Sequence, residues 1–161
     1  ITGRKHRAAG LDLDAFPVPG KVVLYDELRS GAALGDETIG LRISDPVNGA
    51  SFFHVPGCAA VDASLVRRLE GAALLFFDGT LYIDDEMVVQ ELSGKTGRRM
   101  GHISMSGPEG AIAALANIGI QRRVFIHINN SNPVLDEGSD ERTAVEAAGW
   151  EVAFDGMEIR L

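Results

Sequence analysis

The sequence predicts an α/β layered sandwich. Three observations carry this: short β-branched and aromatic runs come first, two continuous apolar runs ending in polar turn residues follow, and capped segments of helical spacing alternate with those runs. Strands followed by helix–strand–helix–strand–helix is the order of a layered α/β domain.

Residues 1–20 hold Gly3, Gly10, Pro17, Pro19 and Gly20 with little periodicity, which predicts loop or a severed connection. KVVLYD (21–26), TIGLRIS (38–44) and ASFFHV (50–55) read as antiparallel strands separated by turn residues such as Asp45-Pro46-Val47-Asn48-Gly49. Asp62 is placed to cap a helix with Leu65, Val66 and Leu69 inward, and Gly71 stops it. ALLFFDGT (73–80) is too continuously apolar for a half-exposed strand and predicts a buried one. Pro108 suits the first turn of a helix that buries Ile112, Leu115, Ala116 and Ile118 and ends at Gly119. RRVFIHI (122–128) is a second buried strand, and Ser139 caps a helix through Ala148 that Gly149 ends. The closing EVAF-DG-MEIRL predicts a tight hairpin, because Asp-Gly between alternating residues suits a type I′ turn.

The chain has 161 residues, one domain's worth. Fifteen Lys+Arg against 23 Asp+Glu give a net charge of −8, which repels phosphate backbones and argues against nucleic acid. No apolar run approaches the ~20 residues of a membrane span. A single cysteine, Cys58, forms no internal disulfide, so a reducing, cytoplasmic setting is expected. The start at Ile1 reads as part of a longer protein.

Among four histidines, His6 is assigned no role and His54, on an aromatic strand, reads as a hydrogen-bonded half-buried residue. His102 lies in the Gly- and Ser-rich loop GHISMSGPEG, and loops on a rigid scaffold are where sites concentrate. His127 ends VFIHI and precedes the polar INNSNP, at the strand edge where α/β sheets bind ligands; it is either a metal ligand or a packed imidazole. Asp78, in FFDGT, has the same placement and either accepts turn N–H bonds or faces a pocket. Asp84, Asp85 and Glu86 read as a solvated helix start, and Cys58 as an inert apolar residue. GKTGRR (94–99) lacks P-loop spacing and is either a solvated loop or an anion clamp through Lys95, Arg98 and Arg99. A metal site needs three or more protein ligands, and two histidines with no H-x-H or H-E-x-x-H pair do not supply one alone.

FFDGT, GRRMGHISMSGPEGAIAAL, VFIHINNSNPVLDEGSDER and GWEVAFDGMEIRL together resemble the coenzyme PQQ synthesis protein B family of the metallo-β-lactamase fold superfamily, over residues 38–161. The resemblance implies an αββα sandwich, with residues 1–161 forming a single unit that is its C-terminal half. It implies that His127 is the last metal-binding histidine, that His102 assists as a general acid, and that Asp78 serves the catalytic pocket by shaping it. Lys95, Arg98, Arg99 and Asn130 are the substrate-binding candidates. Pro56-Gly57-Cys58 stands where superfamily hydrolases carry a bridging aspartate, and Ala33-Leu34-Gly35-Asp36 holds no histidine, so one metal is expected rather than two. The main H-x-H-x-D-H motif and a cysteine-rich structural zinc motif belong to the other half.

The implied function is pyrroloquinoline quinone (PQQ) biosynthesis by metal-dependent oxidation or hydroxylation of a tyrosine-derived precursor, with one divalent metal, iron ahead of zinc. The alternatives are a non-enzymatic carrier aiding transport of PQQ or its precursor to the periplasm, and a hydrolase. The expected partners are that precursor, the missing N-terminal half and a second copy in a homo-oligomer; the half alone is expected to be inactive.

Overall fold

The structure, a computed structural model, describes residues 5–20 and 38–161. The expected strand KVVLYD and the segment Ala33-Leu34-Gly35-Asp36 lie outside those residues. Among the described residues seven strands form one sheet in chain order: β1 (Lys5–Ala8), β2 (Leu11–Val18), β3 (Thr38–Ser44), β4 (Ser51–Val55), β5 (Leu74–Asp78), β6 (Arg122–Ile126) and β7 (Glu151–Val152). Strands β1 to β4 pair antiparallel and β4 to β7 parallel. Parallel neighbours need crossovers. These carry the helices α1 (Ala63–Leu69), α2 (Glu86–Val89), α3 (Gly97–Met100), α4 (Ala111–Ala114) and α5 (Asp140–Ala147).

Two helix starts form as their caps dictate. Asp62 Oδ1 accepts from the Leu65 N–H at 2.7 Å, and Ser139 Oγ from the Arg142 N–H at 3.0 Å, each satisfying a donor that the first helical turn leaves free. Alternate strand residues then meet the helices on one face of the sheet. Phe16, Phe53, Val55, Leu75, Phe77, Phe125 and Val152 pack with Leu65 and Leu69 of α1 and Val145 of α5 in a single core. At its centre Trp150 stacks on Phe125, centroids 4.0 Å apart, and receives the edge of Phe77. The opposite face keeps Leu41, Ile43, Phe52, His54, Phe76 and Ile126 half-buried and Ile39 exposed.

Three expectations are corrected. Residues 5–18 are a β-hairpin, not loop: Ala9 and Gly10 take φ of 50° and 83° at its turn, and β2 buries Phe16 and Val18. Pro17 lies beyond the stretch of β2 that pairs with β1 among the described residues, where one edge of the strand has no ladder partner for the N–H that proline lacks. The helix expected from Pro108 shrinks to α4, capped at Gly110. Pro108 stays in an exposed loop, while Ala111 and Leu115 still bury. The closing hairpin does not form. Its first arm, β7, pairs parallel with β6, where Val152 is buried and Arg122 grips Glu151 through two hydrogen bonds of 2.6 and 2.8 Å. The turn survives, with Gly156 at φ 84° and Met157 N–H bonded to Phe154 O, but an isolated two-stranded ribbon is marginal and core burial outweighs it.

Candidate metal centre

The parallel strands end together, and the residues that follow them converge. Asp78 is the last residue of β5, His127 follows β6, Cys58 follows β4 by three positions, and His102 arrives from the β5–β6 crossover. This is the carboxyl edge of the sheet, where open α/β sheets bind ligands. His127 takes φ of 55°, a left-handed conformation that costs a non-glycine residue energy and that breaks β6 so the imidazole turns back over β5.

Asp78 is fully buried and accepts four hydrogen bonds: Cys58 N–H at 2.9 Å and His102 Nδ1 at 2.8 Å on one oxygen, Thr80 N–H at 3.1 Å and the Thr80 hydroxyl at 2.6 Å on the other. His102 and His127 stack with centroids 5.3 Å apart, and His127 Nδ1 lies 2.9 Å from Thr80 Oγ1. Ligand atoms of Asp78, His102 and His127 all fall within 4.8 Å of one another. One carboxylate and two imidazoles suit a divalent transition metal. Asp78, both of whose oxygens already accept two hydrogen bonds, orders the two imidazoles from behind.

The electrostatics follow from this packing. Burial works to raise the Asp78 carboxyl, but its contacts with His102, His127 and Thr80 outweigh burial and hold it below the usual value. The Asp78 carboxylate raises His127 above an ordinary imidazole, with burial opposing. At 3.8 Å that pair is too long for a direct hydrogen bond, and the Thr80 hydroxyl bridges it. Cys58 is the reverse case: burial, opposed by the bond from Sγ to Ala60 O, pushes its thiol up to about 12, so it stays neutral.

The other predicted residues are spread out. Lys95 and Arg99 are exposed, and Asn130 is exposed beside His127 on the loop. Arg98 pairs with Glu109, and the two line a cavity of about 440 Å³ with Ile103 and a second of about 400 Å³ with Ser104 and Ser106. The backbone of this loop is held by Asp84, whose carboxylate accepts the Arg98 N–H at 2.8 Å. Sequence reasoning passed over Thr80 and Asn132. Asn132 is buried and donates to the carbonyls of Gly79 and Thr80, stapling the loop after β6 onto the turn after β5. The Asp-x-Thr spacing was the available signal for Thr80, since a hydroxyl two residues on reaches back to the carboxylate.

Glu86 departs from the solvated helix start expected of it. It is 3% exposed, with one oxygen accepting from the Tyr82 N–H at 2.7 Å and the other without a partner among the described residues. Burial raises its carboxyl above the usual value, with the Tyr82 and Ile83 backbone contacts opposing. The folded state therefore holds this proton more tightly than the unfolded chain, and stability falls as pH rises through the folded value. Glu86→Gln is expected to flatten that slope and raise Tm by a few degrees at neutral pH, read from thermal melts across pH.

A family model described as a beta-lactamase superfamily domain matches residues 2–128. Coenzyme PQQ synthesis protein B of Xanthomonas oryzae pv. oryzae (strain MAFF 311018) is 53% identical over 156 residues, covering 95% of this chain and 52% of the relative. The protein of that name from Bradyrhizobium diazoefficiens is 48% identical over 156 residues, covering 95% and 50%. The chain thus spans about half the length of the curated relatives it matches. The crystal structure of Zn(2+)-bound PqqB from Methylobacterium extorquens superposes with a TM-score of 0.89 at 45% identity, over 99% of this chain and 54% of that one.

Proposed function

We propose, because the chain belongs to the beta-lactamase superfamily, that it forms one wall of a divalent-metal centre acting on a tyrosine-derived precursor in PQQ biosynthesis. The fold is that of the metallo-β-lactamases, as the motifs implied. The relatives' name supports the pathway. The observation that carries the metal reading is the convergence of Asp78, His102 and His127 at one sheet edge.

His102 and His127 would hold the ion, with Asp78 fixing them from behind, and iron bound there would supply the redox chemistry that hydroxylating a phenol ring needs. This chain's own residues do the rest. Asp78 orients His102 through its 2.8 Å hydrogen bond. His102, only 20% exposed, is the more sheltered of the two imidazoles, while the more open His127 faces the crevice. Lys95, Arg98 and Arg99 supply positive charge for substrate carboxylates, Arg98 by exchanging Glu109 for a ligand. Asn130, exposed beside His127, meets polar substrate groups. The half-buried apolar face around Phe52 and Phe76 is where a second sheet, from the other half, completes the sandwich. Without that cover the half is expected to self-associate and to be inactive.

Metal content of the intact protein tests the reading. Wild type is expected to hold one more divalent ion per chain than His127→Ala. Identical metal content in the two would overturn it, and loss of two ions would favour a hydrolytic dinuclear centre. A carrier would bind the quinone equally well in both proteins.

A further inference from the structure

We propose that Thr80 is the positioning residue of this centre: its single hydroxyl, between the buried carboxylate and both imidazoles, sets the tautomer and orientation in which His102 and His127 present themselves. The inference rests on the metal reading above but makes a claim about the protein's own hydrogen bonds.

The number of protons available fixes the tautomers. Thr80 Oγ1 lies 2.6 Å from Asp78 Oδ1, 3.0 Å from His102 Nδ1, 2.9 Å from His127 Nδ1 and 3.2 Å from His127 O. A hydroxyl has one proton to give and two lone pairs to accept with. Asp78 is ionised and only accepts, so the 2.6 Å contact takes the Thr80 proton; otherwise two oxygens would face each other with none between them. Both lone pairs of Oγ1 then point at the rings, and an imidazole nitrogen facing a lone pair must carry the hydrogen. His127 therefore donates Nδ1–H to Thr80. His102 shares its Nδ1–H between Thr80 and Asp78 Oδ2, 2.8 Å away. Both neutral rings are fixed as the Nδ1–H tautomer, and Nε2 of each is left as the unprotonated nitrogen, with no hydrogen-bond partner among the described residues. That is the atom a metal needs, and hydrogen bonds at the far nitrogen are how proteins orient imidazole ligands.

The backbone fits this role. Asn129 N–H bonds to Thr80 O and Gly79 N–H to Ile126 O, so the turn after β5 and the left-handed break at His127 are held against each other on both sides of the hydroxyl. A valine at 80 would keep the shape and lose the hydroxyl's bonds to Asp78 and to both rings, whereas serine would keep the hydroxyl.

The test uses the intact protein with its metal removed, at a pH above the imidazole range. Long-range ¹H–¹⁵N spectra, assigned with His102→Ala and His127→Ala, are expected to show both rings as the Nδ1–H tautomer. In Thr80→Val His127 is expected to revert to the Nε2–H form of free imidazole, while His102 retains Asp78. Zinc affinity of the site that His127→Ala abolishes, measured by competition with a chromophoric chelator, should weaken tenfold or more in Thr80→Val. Thr80→Ser should bind close to wild type. An Nε2–H tautomer at His127 in wild type overturns the proposal, as does valine binding zinc like wild type, or serine failing like valine. If wild type binds no ion the metal reading falls while the tautomers still decide this one. If Thr80→Val does not fold, the wild-type spectrum and Thr80→Ser decide it.

Discussion

Asp78→Ala should lower the stability of the protein by about 3–5 kcal/mol, the usual result of stripping one partner from a buried charged network. The substitution leaves four donors facing a small cavity: the Cys58 and Thr80 amides, the Thr80 hydroxyl and the His102 ring. Cys58 is fully buried and its amide has no water to turn to, so that loss alone approaches the ~1–3 kcal/mol of an unsatisfied buried group. The sign with pH follows from the depressed carboxyl. Its stabilisation is complete above the unfolded aspartate value and is lost as pH falls through the lower folded value, so at neutral pH the wild type has all of it. Urea unfolding at neutral pH and in acid checks both points: the gap between wild type and Asp78→Ala should be wide at neutral pH and close in acid. A loss under 1 kcal/mol at neutral pH would mean that Asp78 is not the anchor the hydrogen bonds describe.

The elements that sequence reasoning located are those whose signals are local and agree with burial. Asp62 and Ser139 cap because their side chains meet the amide three residues on, a geometry that needs no tertiary partner. LLFFD and RRVFI were legible as buried strands because a layered sheet covers its central strands. The misread segments are those where a local signal competes with long-range pairing. Pro17 and Gly10 speak for loop, yet pairing of Phe16 with Gly40 in the next strand buries that ring, and a Cβ at Gly40 would sit 2.5 Å from it. Asp155-Gly156 makes its turn, but Val152 gains more from the β6 edge than from a partner strand.

The candidate site was legible residue by residue but not as an arrangement. Asp78 and His127 announce themselves as polar residues ending apolar runs, and His102 as an imidazole in a glycine-rich loop. What sequence reasoning lacked was the parallel register that sets Asp78 opposite Ile126, one residue before His127. It also lacked the hydroxyl that ties the three groups together, because threonine after Asp-Gly reads as ordinary turn chemistry.

Trp150→Ala tests how far the site depends on the core beneath it, and a loss of about 3–5 kcal/mol is expected, with Tm lower by roughly 10 °C. The indole is 2% exposed and lies flat on Phe125, interplanar angle 11°, with the edge of Phe77 against it. Removing it opens a cavity that helix α5 and strands β5 and β6 border, and close-packed interiors collapse only in part into such space. Trp150→Phe separates packing from polarity. The indole N–H is buried with no partner among the described residues, so phenylalanine loses no hydrogen bond and should cost under about 1.5 kcal/mol. Phe77 and Phe125 each precede a site residue by one or two positions, Asp78 and His127, so their loosening reaches the candidate site through the backbone. Metal affinity in Trp150→Ala should therefore weaken, but less than in Asp78→Ala. Circular dichroism is the probe of choice, since this is the chain's one tryptophan. If alanine and phenylalanine cost the same, the stacked pair is not what holds the ends of β5 and β6 in register.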